Sequence, residues 1–190
     1  MIPFQKKIIL ASKSPRRSQL LSQAGFQFEI KTKEVEEDFP ETMSVEEVAE
    51  FLAIKKAIAS RDVVKEDEVL LAADSVVILN DTIYGKPKDR TDAQNILKAL
   101  SGQQHQVITG VCLLSQNKQL SFSSVSKVYF KELSSEEIDF YIDQYQPYDK
   151  AGAYAIQEWI GLCKIHKIEG TYANIMGLPV DLVYKHLAEF

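Results

Sequence analysis

The sequence predicts an α/β or α+β fold built around a mixed β-sheet. Apolar runs of strand length alternate with segments of helical periodicity. The chain shows no internal repeat, no low-complexity tract and no linker rich in Pro, Gly and Ser. Its 190 residues, 45% of them hydrophobic, suffice for a buried core, and we expect a single domain over 1–190.

The first thirty residues predict a strand–helix–strand unit. An apolar run over 8–11 has the length of a short strand, and a second short strand is expected over 26–31. Between them, a serine before Pro15 suits the start of a helix over 15–24, because serine is a favoured cap and proline is tolerated at the first helical position.

The next segment predicts a capped helix and then an apolar run. Glu47 lies three residues after Ser44, the spacing of a capping box, and helical periodicity continues towards Arg61. An apolar run over 69–79 follows and is interrupted at residues 74–75.

The remaining chain continues the alternation. The predicted elements are a hairpin turn at 80–81 returning through 82–84, a helix capped by Asp89 or Thr91 and ended at 101–102, strands over 107–114 and 120–131, a helix capped at 134–137 and ending near Tyr145, a strand over 160–168 and a helix over 178–190.

Cys112 and Cys163 lie in strand-like segments without a CxxC partner, so we expect two buried thiols.

Composition excludes several classes of function. A net charge of −5 disfavours a general nucleic-acid binder, which usually carries a basic excess. No apolar run reaches the roughly 18 residues that span a bilayer, and residues 1–11 lack the layout of a signal peptide, so we expect a cytoplasmic protein. The three histidines lack the spacing of a zinc site.

The predicted start of the first helix combines groups that bind phosphate. Ser12, Arg16 and Arg17 supply a hydroxyl and two guanidinium groups beside the free amides of a helix N-terminus. An ordinary capped helix with surface arginines explains the same residues equally well.

Asp74 is the most unusual residue in the apolar run over 69–79. A carboxylate facing a core is energetically costly. A surface bulge, a buried structural pair, or a catalytic or metal-binding carboxylate at a cleft would each account for it.

Four further positions carry weaker signals. Glu37 lies in an acidic loop able to coordinate magnesium, Lys56 lies late on a predicted helix, Lys86 precedes a proline, and Gln157 ends a polar and aromatic segment able to read a base. Solvated surface charge and a structural turn are the ordinary alternatives. Taken together, these residues are the parts that phosphoryl chemistry on a nucleotide requires.

Short motifs extend in order from about residue 7 to residue 187: 10–17, 56–57, 73–75, 85–87, 101–102, 109–110, 149–154 and 177–179. In them the chain resembles the Maf nucleotide pyrophosphatases, relatives of the inosine triphosphate pyrophosphatases. The resemblance implies a twisted mixed sheet flanked by helices, with two lobes around a central cleft. It also implies hydrolysis of a nucleoside triphosphate to the monophosphate and pyrophosphate.

The resemblance assigns roles to individual residues. The expected phosphate-binding residues are Ser12, Arg16, Lys56 and Lys86. Asp74 and Glu37 would bind a divalent cation, Mg²⁺ in preference to Mn²⁺, and Asp74 would also be the proton acceptor.

Three positions distinguish branches of the family. Members that act on dTTP and UTP have Arg, Thr and Gln where this chain has Arg17, Ser75 and Gln157. A branch acting on 7-methyl-GTP has Trp, Gln and Glu there, and this chain matches none of the three. The resemblance therefore favours dTTP and UTP, and Ser75 keeps the hydroxyl of the usual Thr but lacks its methyl group.

The expected partner is a small nucleotide, with no nucleic acid and no membrane, and the resemblance is compatible with a homodimer. The family's suggested role is to keep modified nucleotides out of nucleic acids. The main alternative is a non-catalytic nucleotide-binding regulator of cell division, which would need the phosphate-binding groups but no poised carboxylate.

Overall fold

The computed structural model describes residues 6–190, so the first five residues of the segment used to predict location lie outside it. The described strands are β1 (Lys7–Leu10), β2 (Phe28–Ile30), β3 (Glu68–Leu79), β4 (Thr82–Tyr84), β5 (Gln104–Leu114), β6 (Gln119–Phe130) and β7 (Ile165–Glu169). The described helices are α1 (Pro15–Gln23), α2 (Val48–Ala59), α3 (Arg90–Leu100), α4 (Ser135–Tyr145), α5 (Trp159–Cys163), α6 (Tyr172–Met176) and α7 (Val180–Ala188). Every helix within 6–190 is too short or too polar to cross a bilayer.

The strands form one mixed sheet in the order β2-β1-β3-β5-β6-β7, with β4 paired to β3. β1 runs parallel to both β2 and β3, whereas β4 and β7 run antiparallel to their neighbours. The predicted fold class, a mixed sheet flanked by helices, is confirmed.

Contacts divide the chain into two compact units. The first comprises the residues up to Asp74 together with Thr109–Ser124 and Gly177–Phe190, and the second comprises Ser75–Ile108 and Val125–Met176. The single functional domain over 1–190 and the central cleft stay predictions.

Small residues bring α2 close to the sheet in the first unit. Ala53 and Ala57 of α2 are fully buried in one cluster with Ala72 of β3. Gly110 of β5 lies so close to α2 that an added Cβ would come within 2.3 Å of the backbone nitrogen of Glu50. The close approach requires glycine at this position, since no larger residue fits without moving backbone.

The second unit has its own core, to which α3 and α4 each contribute one apolar face. Leu97 and Leu100 of α3 and Tyr141 and Ile142 of α4 are fully buried there, beside Phe130 of β6. His105 of β5 is also buried, and its Nε2 lies 2.8 Å from the hydroxyl of Tyr154.

Several local predictions are confirmed. Asn80 and Asp81 have positive φ angles and connect β3 to β4 as the predicted hairpin turn. Asp89 caps α3 by accepting a hydrogen bond from the amide of Asp92. Ser134 begins α4 with a complete capping box.

The capping box predicted at Ser44 and Glu47 is wrong. The Ser44 hydroxyl donates to the carboxylate of Glu46, residues 45–47 form a turn, and α2 begins at Val48 without a side-chain cap. Glu47 holds the N-cap position of α2, so Ser44 lies too far before the helix to cap it.

The strand predicted over 160–168 is wrong in its first part and confirmed over 165–168. Its first part is the short helix α5, and only Ile165–Glu169 forms a strand. Cys163 ends α5 and is exposed, contrary to the prediction of a buried thiol, whereas Cys112 is buried as expected. The helix predicted over 178–190 begins at Val180, and α6 before it was not predicted.

Candidate active site

Asp74 lies in an unbroken strand, so a surface bulge does not explain it. β3 continues through residues 74 and 75, and Asp74 as a whole residue is only 8% exposed, between buried Ala73 and partly buried Ser75. A carboxylate buried to this extent requires a compensating charge or hydrogen bonds.

Lys56 supplies that compensating charge. Because α2 packs through its alanines, Lys56 in its last turn reaches β3, and its Nζ forms an ion pair with Oδ1 of Asp74. Both side chains are largely buried, Lys56 at 17% and Asp74 at 12% exposure. Electrostatic interactions are stronger in such surroundings than at an exposed surface.

The same ammonium group binds a second carboxylate. Lys56 Nζ lies 2.8 Å from Oε1 of Glu37, in the acidic segment between β2 and α2. The structure thus gathers three of the predicted site residues around one nitrogen. Lys56, which the resemblance assigns to phosphate binding, holds both predicted metal ligands.

Arg17 lies beside this group and is fixed by two neutral acceptors. Its Nε donates to the carbonyl of Gly177 at 2.8 Å and its NH1 group donates to Oγ of Ser12 at 3.1 Å. Burial lowers the pKa of Arg17, as does the positive charge of Arg16, whereas the charges of Asp74 and Glu37 act in the opposite direction. The two arginines and the two carboxylates therefore influence one another electrostatically.

Ser12 organises the connection between β1 and α1. Its hydroxyl oxygen accepts the backbone amide of Ser14 at 3.2 Å in addition to the Arg17 guanidinium. Ser14 occupies the N-cap position, but its side chain makes no capping hydrogen bond. The predicted serine cap is thus replaced by a hydroxyl two residues earlier.

Sequence patterns gave no sign that Gly177 would contact Arg17. The motif at 177–179 was recognised, and Gly177 has a φ of 123°, a value favoured only by glycine. Nothing in that motif indicates that the glycine carbonyl accepts a hydrogen bond from a side chain 160 positions earlier.

The donor set at Asp74 and Glu37 is suited to a divalent cation held jointly with a phosphate ligand. Two carboxylate oxygens already converge on one cation, the ammonium of Lys56. No group of three or more His, Cys, Asp or Glu side chains able to hold a metal occurs within residues 6–190. Mg²⁺ commonly binds through one or two carboxylates plus substrate phosphates, so these residues fit it.

The other three predicted residues belong to the second unit. Ser75 follows Asp74 in β3 and is partly buried, and Lys86 is exposed after β4. Lys86 lines a depression of about 500 Å³ together with Lys88 and Asn95.

Gln157 precedes α5 and is partly buried. Among the described residues, its Oε1 is buried without a hydrogen-bond partner. An amide oxygen in this condition is a ready acceptor for a ligand donor.

Fold and site together define a mixed α/β protein in which an acidic pair lies beside a lysine and an arginine, groups that phosphoryl-transfer sites commonly combine. Among solved structures, the Staphylococcus aureus Ham1 protein matches with a TM-score of 0.56, covering 97% of this chain and 99% of that chain. At 15% identity, that likeness shows a shared fold.

The family model for Maf-like proteins matches residues 7–190, and the chain belongs to that family. The dTTP/UTP pyrophosphatase of Phocaeicola vulgatus is 50% identical over 182 residues, which cover 95% of this chain and 94% of that protein. The dTTP/UTP pyrophosphatase of Porphyromonas gingivalis strain W83 is 48% identical over 187 residues, with 97% and 94% coverage.

Proposed function

We propose that this chain hydrolyses dTTP and UTP to the monophosphate and pyrophosphate by cleaving the bond between the α- and β-phosphates. The names of its relatives at 48% and 50% identity support the substrate class. The observation that carries the proposal is the ion pair between buried Asp74 and Lys56, which Glu37 shares. A purely structural pair would not need the second, half-exposed carboxylate.

In this proposal, Asp74 accepts a proton from the attacking water. Lys56 contacts Oδ1, which leaves Oδ2 as the oxygen that takes the proton. The nearby ammonium fixes the orientation of the carboxylate on β3. A rigid strand provides the positional accuracy that proton transfer requires.

The cationic and hydroxyl groups act on the phosphates. Ser12, Arg16, Lys56 and Lys86 bind phosphate oxygens and offset the negative charge that develops on the departing pyrophosphate. Removing one such positioned donor typically lowers turnover by about 10²–10³-fold.

Asp74 and Glu37 would hold the divalent cation, with Mg²⁺ preferred over Mn²⁺. When bound, that cation supplies Lewis acidity at the phosphate oxygens. Lys56 then has a second role, because its positive charge offsets the repulsion between the two carboxylates.

Base selectivity is assigned to Arg17, Ser75 and Gln157. Uracil and thymine both present an N3–H donor, whereas N3 of cytosine is an acceptor. The buried amide oxygen of Gln157 supplies the matching acceptor. A site built to accept a hydrogen bond discriminates strongly against a base that lacks the donor.

Two measurements test the proposal. Purified protein with magnesium is assayed for pyrophosphate release across the common and several modified nucleoside triphosphates, and we expect dTTP and UTP to be preferred. Asp74→Asn should fold normally and lose nearly all turnover, whereas Asp67→Asn on the exposed surface should retain it.

The alternative function predicts a different outcome. Tight nucleotide binding without pyrophosphate release from any nucleotide would favour the non-catalytic regulator. Wild-type activity in Asp74→Asn would refute the assigned proton acceptor.

A further inference from the structure

The segment that carries Gln157 is held by a network that lies outside the groups described above. Residues 147–158 contain two short 3₁₀ turns, Pro147–Asp149 and Ala151–Ala153, followed by a further turn at residues 156–157 before α5. Because the amide oxygen of Gln157 has no hydrogen-bond partner among the described residues, the orientation of that side chain depends strongly on its backbone.

Glu158, the next residue, anchors this backbone. Its Oε2 accepts a hydrogen bond from the hydroxyl of Tyr141 on α4, and its Oε1 lies 3.5 Å from Nζ of Lys150. Tyr141 is fully buried, and the side chains of Lys150 and Glu158 are 9% and 18% exposed.

Tyr141 also forms a direct hydrogen bond with the segment. Its hydroxyl oxygen accepts the backbone amide of Ala155 at 3.0 Å, only two residues before Gln157. One tyrosine hydroxyl thus fixes the chain on both sides of Gln157, at Ala155 and at Glu158. Lys150 adds a third attachment from the start of the segment.

The chemistry of this network favours a role in precision over a role in overall stability. A buried lysine–carboxylate pair gains little net free energy of folding, since desolvation of both charges offsets most of their attraction. What a fully satisfied buried network does provide is one well-defined geometry. Here that geometry is imposed on the residues flanking Gln157, one of the side chains assigned to base selectivity.

We infer that Tyr141, Lys150 and Glu158 are positioning residues for Gln157 and thereby set base selectivity. The inference rests on the proposed function, in which Gln157 contacts the base. It adds Tyr141 on α4, Lys150 between the two 3₁₀ turns and Glu158 just before α5 to the three positions already assigned to selectivity. None of the three touches the substrate in this scheme, because each acts through the backbone around Gln157.

The test compares Tyr141→Phe with wild type on UTP and CTP. The readout is the ratio of the two kcat/KM values, which does not depend on how much of the protein is folded. We expect the ratio to fall by about 10-fold, less than the ~10²-fold that a misplacement of about 1 Å can cost. The loss should lie in the KM for UTP, with kcat changed by less than about twofold, since phosphate chemistry is untouched.

Three further variants keep the result independent of folding. Glu158→Gln retains an acceptor for Tyr141 and should keep most of the selectivity, whereas Glu158→Ala should lose it. Tyr129→Phe is the matched control, because it removes a 2.9 Å hydrogen bond from a tyrosine to Glu169 on the exposed surface. We expect the control to leave the ratio unchanged.

Equal losses of kcat/KM for UTP and CTP in Tyr141→Phe and Glu158→Ala would overturn the inference and leave the network a purely structural role. Failure of the proposed function would look different. In that case wild type itself would release no pyrophosphate, or would not prefer UTP to CTP.

Discussion

The buried imidazole of His105 makes folding of this protein sensitive to mild acid. His105 is 1% exposed, packs edge-on against Phe130 and shares a hydrogen bond with the Tyr154 hydroxyl. Burial lowers the pKa of His105 from 6.5 to about 4. As the pH falls below 6.5, the unfolded chain takes up a proton at this imidazole, while the folded protein does not until about pH 4.

Stability is therefore fully present above pH 6.5 and is lost progressively as the pH falls towards 4. The shift from 6.5 to about 4 corresponds to about 3 kcal/mol in total, of which about 2.5 kcal/mol is lost by pH 4.5. This pH-dependent part of the free energy of unfolding comes from the side chain of His105, so substitution of His105 removes it.

Urea denaturation followed by the fluorescence of Trp159, the single tryptophan, measures the effect at pH 7.5 and pH 4.5. Between the two pH values, the free energy of unfolding of His105→Gln should fall by about 2.5 kcal/mol less than that of wild type. This difference does not depend on the stability of the variant at pH 7.5. His166→Gln on β7 is the matched control, since that imidazole is exposed in the folded protein as well as the unfolded chain. The reasoning fails if His105→Gln and wild type lose the same free energy over this range.

Three further outcomes are expected. Gly110→Ala should destabilise the protein by more than about 3 kcal/mol in urea denaturation, because its Cβ would overlap the backbone of α2. Gly85→Ala, with open space around its Cβ, should change stability by less than about 1 kcal/mol, and equal effects of the two would contradict the packing described for α2. Excess EDTA should abolish pyrophosphate release and added Mg²⁺ should restore it, so full activity in EDTA would remove the metal from the reaction. The triple variant Arg17→Trp, Ser75→Gln, Gln157→Glu should hydrolyse dTTP and UTP more slowly than wild type, and undiminished rates would refute the assigned selectivity residues.

Two identical local patterns show how far the sequence predicts the fold. Ser44 and Glu47 have the same spacing as Ser134 and Glu137, yet only the second pair forms a capping box. At the first, α2 begins only at Val48 and Glu47 holds the N-cap position, so Ser44 lies three residues before the place where a cap is needed. The spacing of a serine and a glutamate therefore indicates that a helix follows more reliably than it fixes the residue at which that helix begins.

Apolar periodicity does not predict the short helices α5 and α6. Each has five residues, too few for an apolar repeat of 3.6 to be distinguished from a strand-like run. Gly161 in α5 lies against the carbonyl of Ile156, so close that no Cβ would fit. That contact depends on the turn at residues 156–157 before α5, and nothing in the apolar composition of 160–168 reveals it.

The sequence pattern singles out Asp74 as a site residue, but it does not predict the ion pair between Asp74 and Lys56. Asp74 stands out in the sequence because a carboxylate interrupts a long apolar run, and the structure shows it buried. Lys56 looked like an ordinary surface lysine, since its role depends on how closely α2 packs against β3. Packing between elements 18 residues apart is a property of the fold, which local pattern does not encode.

Local charge resolves the apparent conflict between an acidic protein and an anionic substrate. The chain carries a net charge of −5, yet Arg16, Arg17 and Lys56 act on the same small region as Asp74 and Glu37. Screening limits exposed charges to about 8 Å at physiological ionic strength, so a bound triphosphate would respond mainly to these neighbouring groups and not to the net charge of the chain. In the proposed function, a net charge of −5 is therefore compatible with an anionic mononucleotide as the substrate.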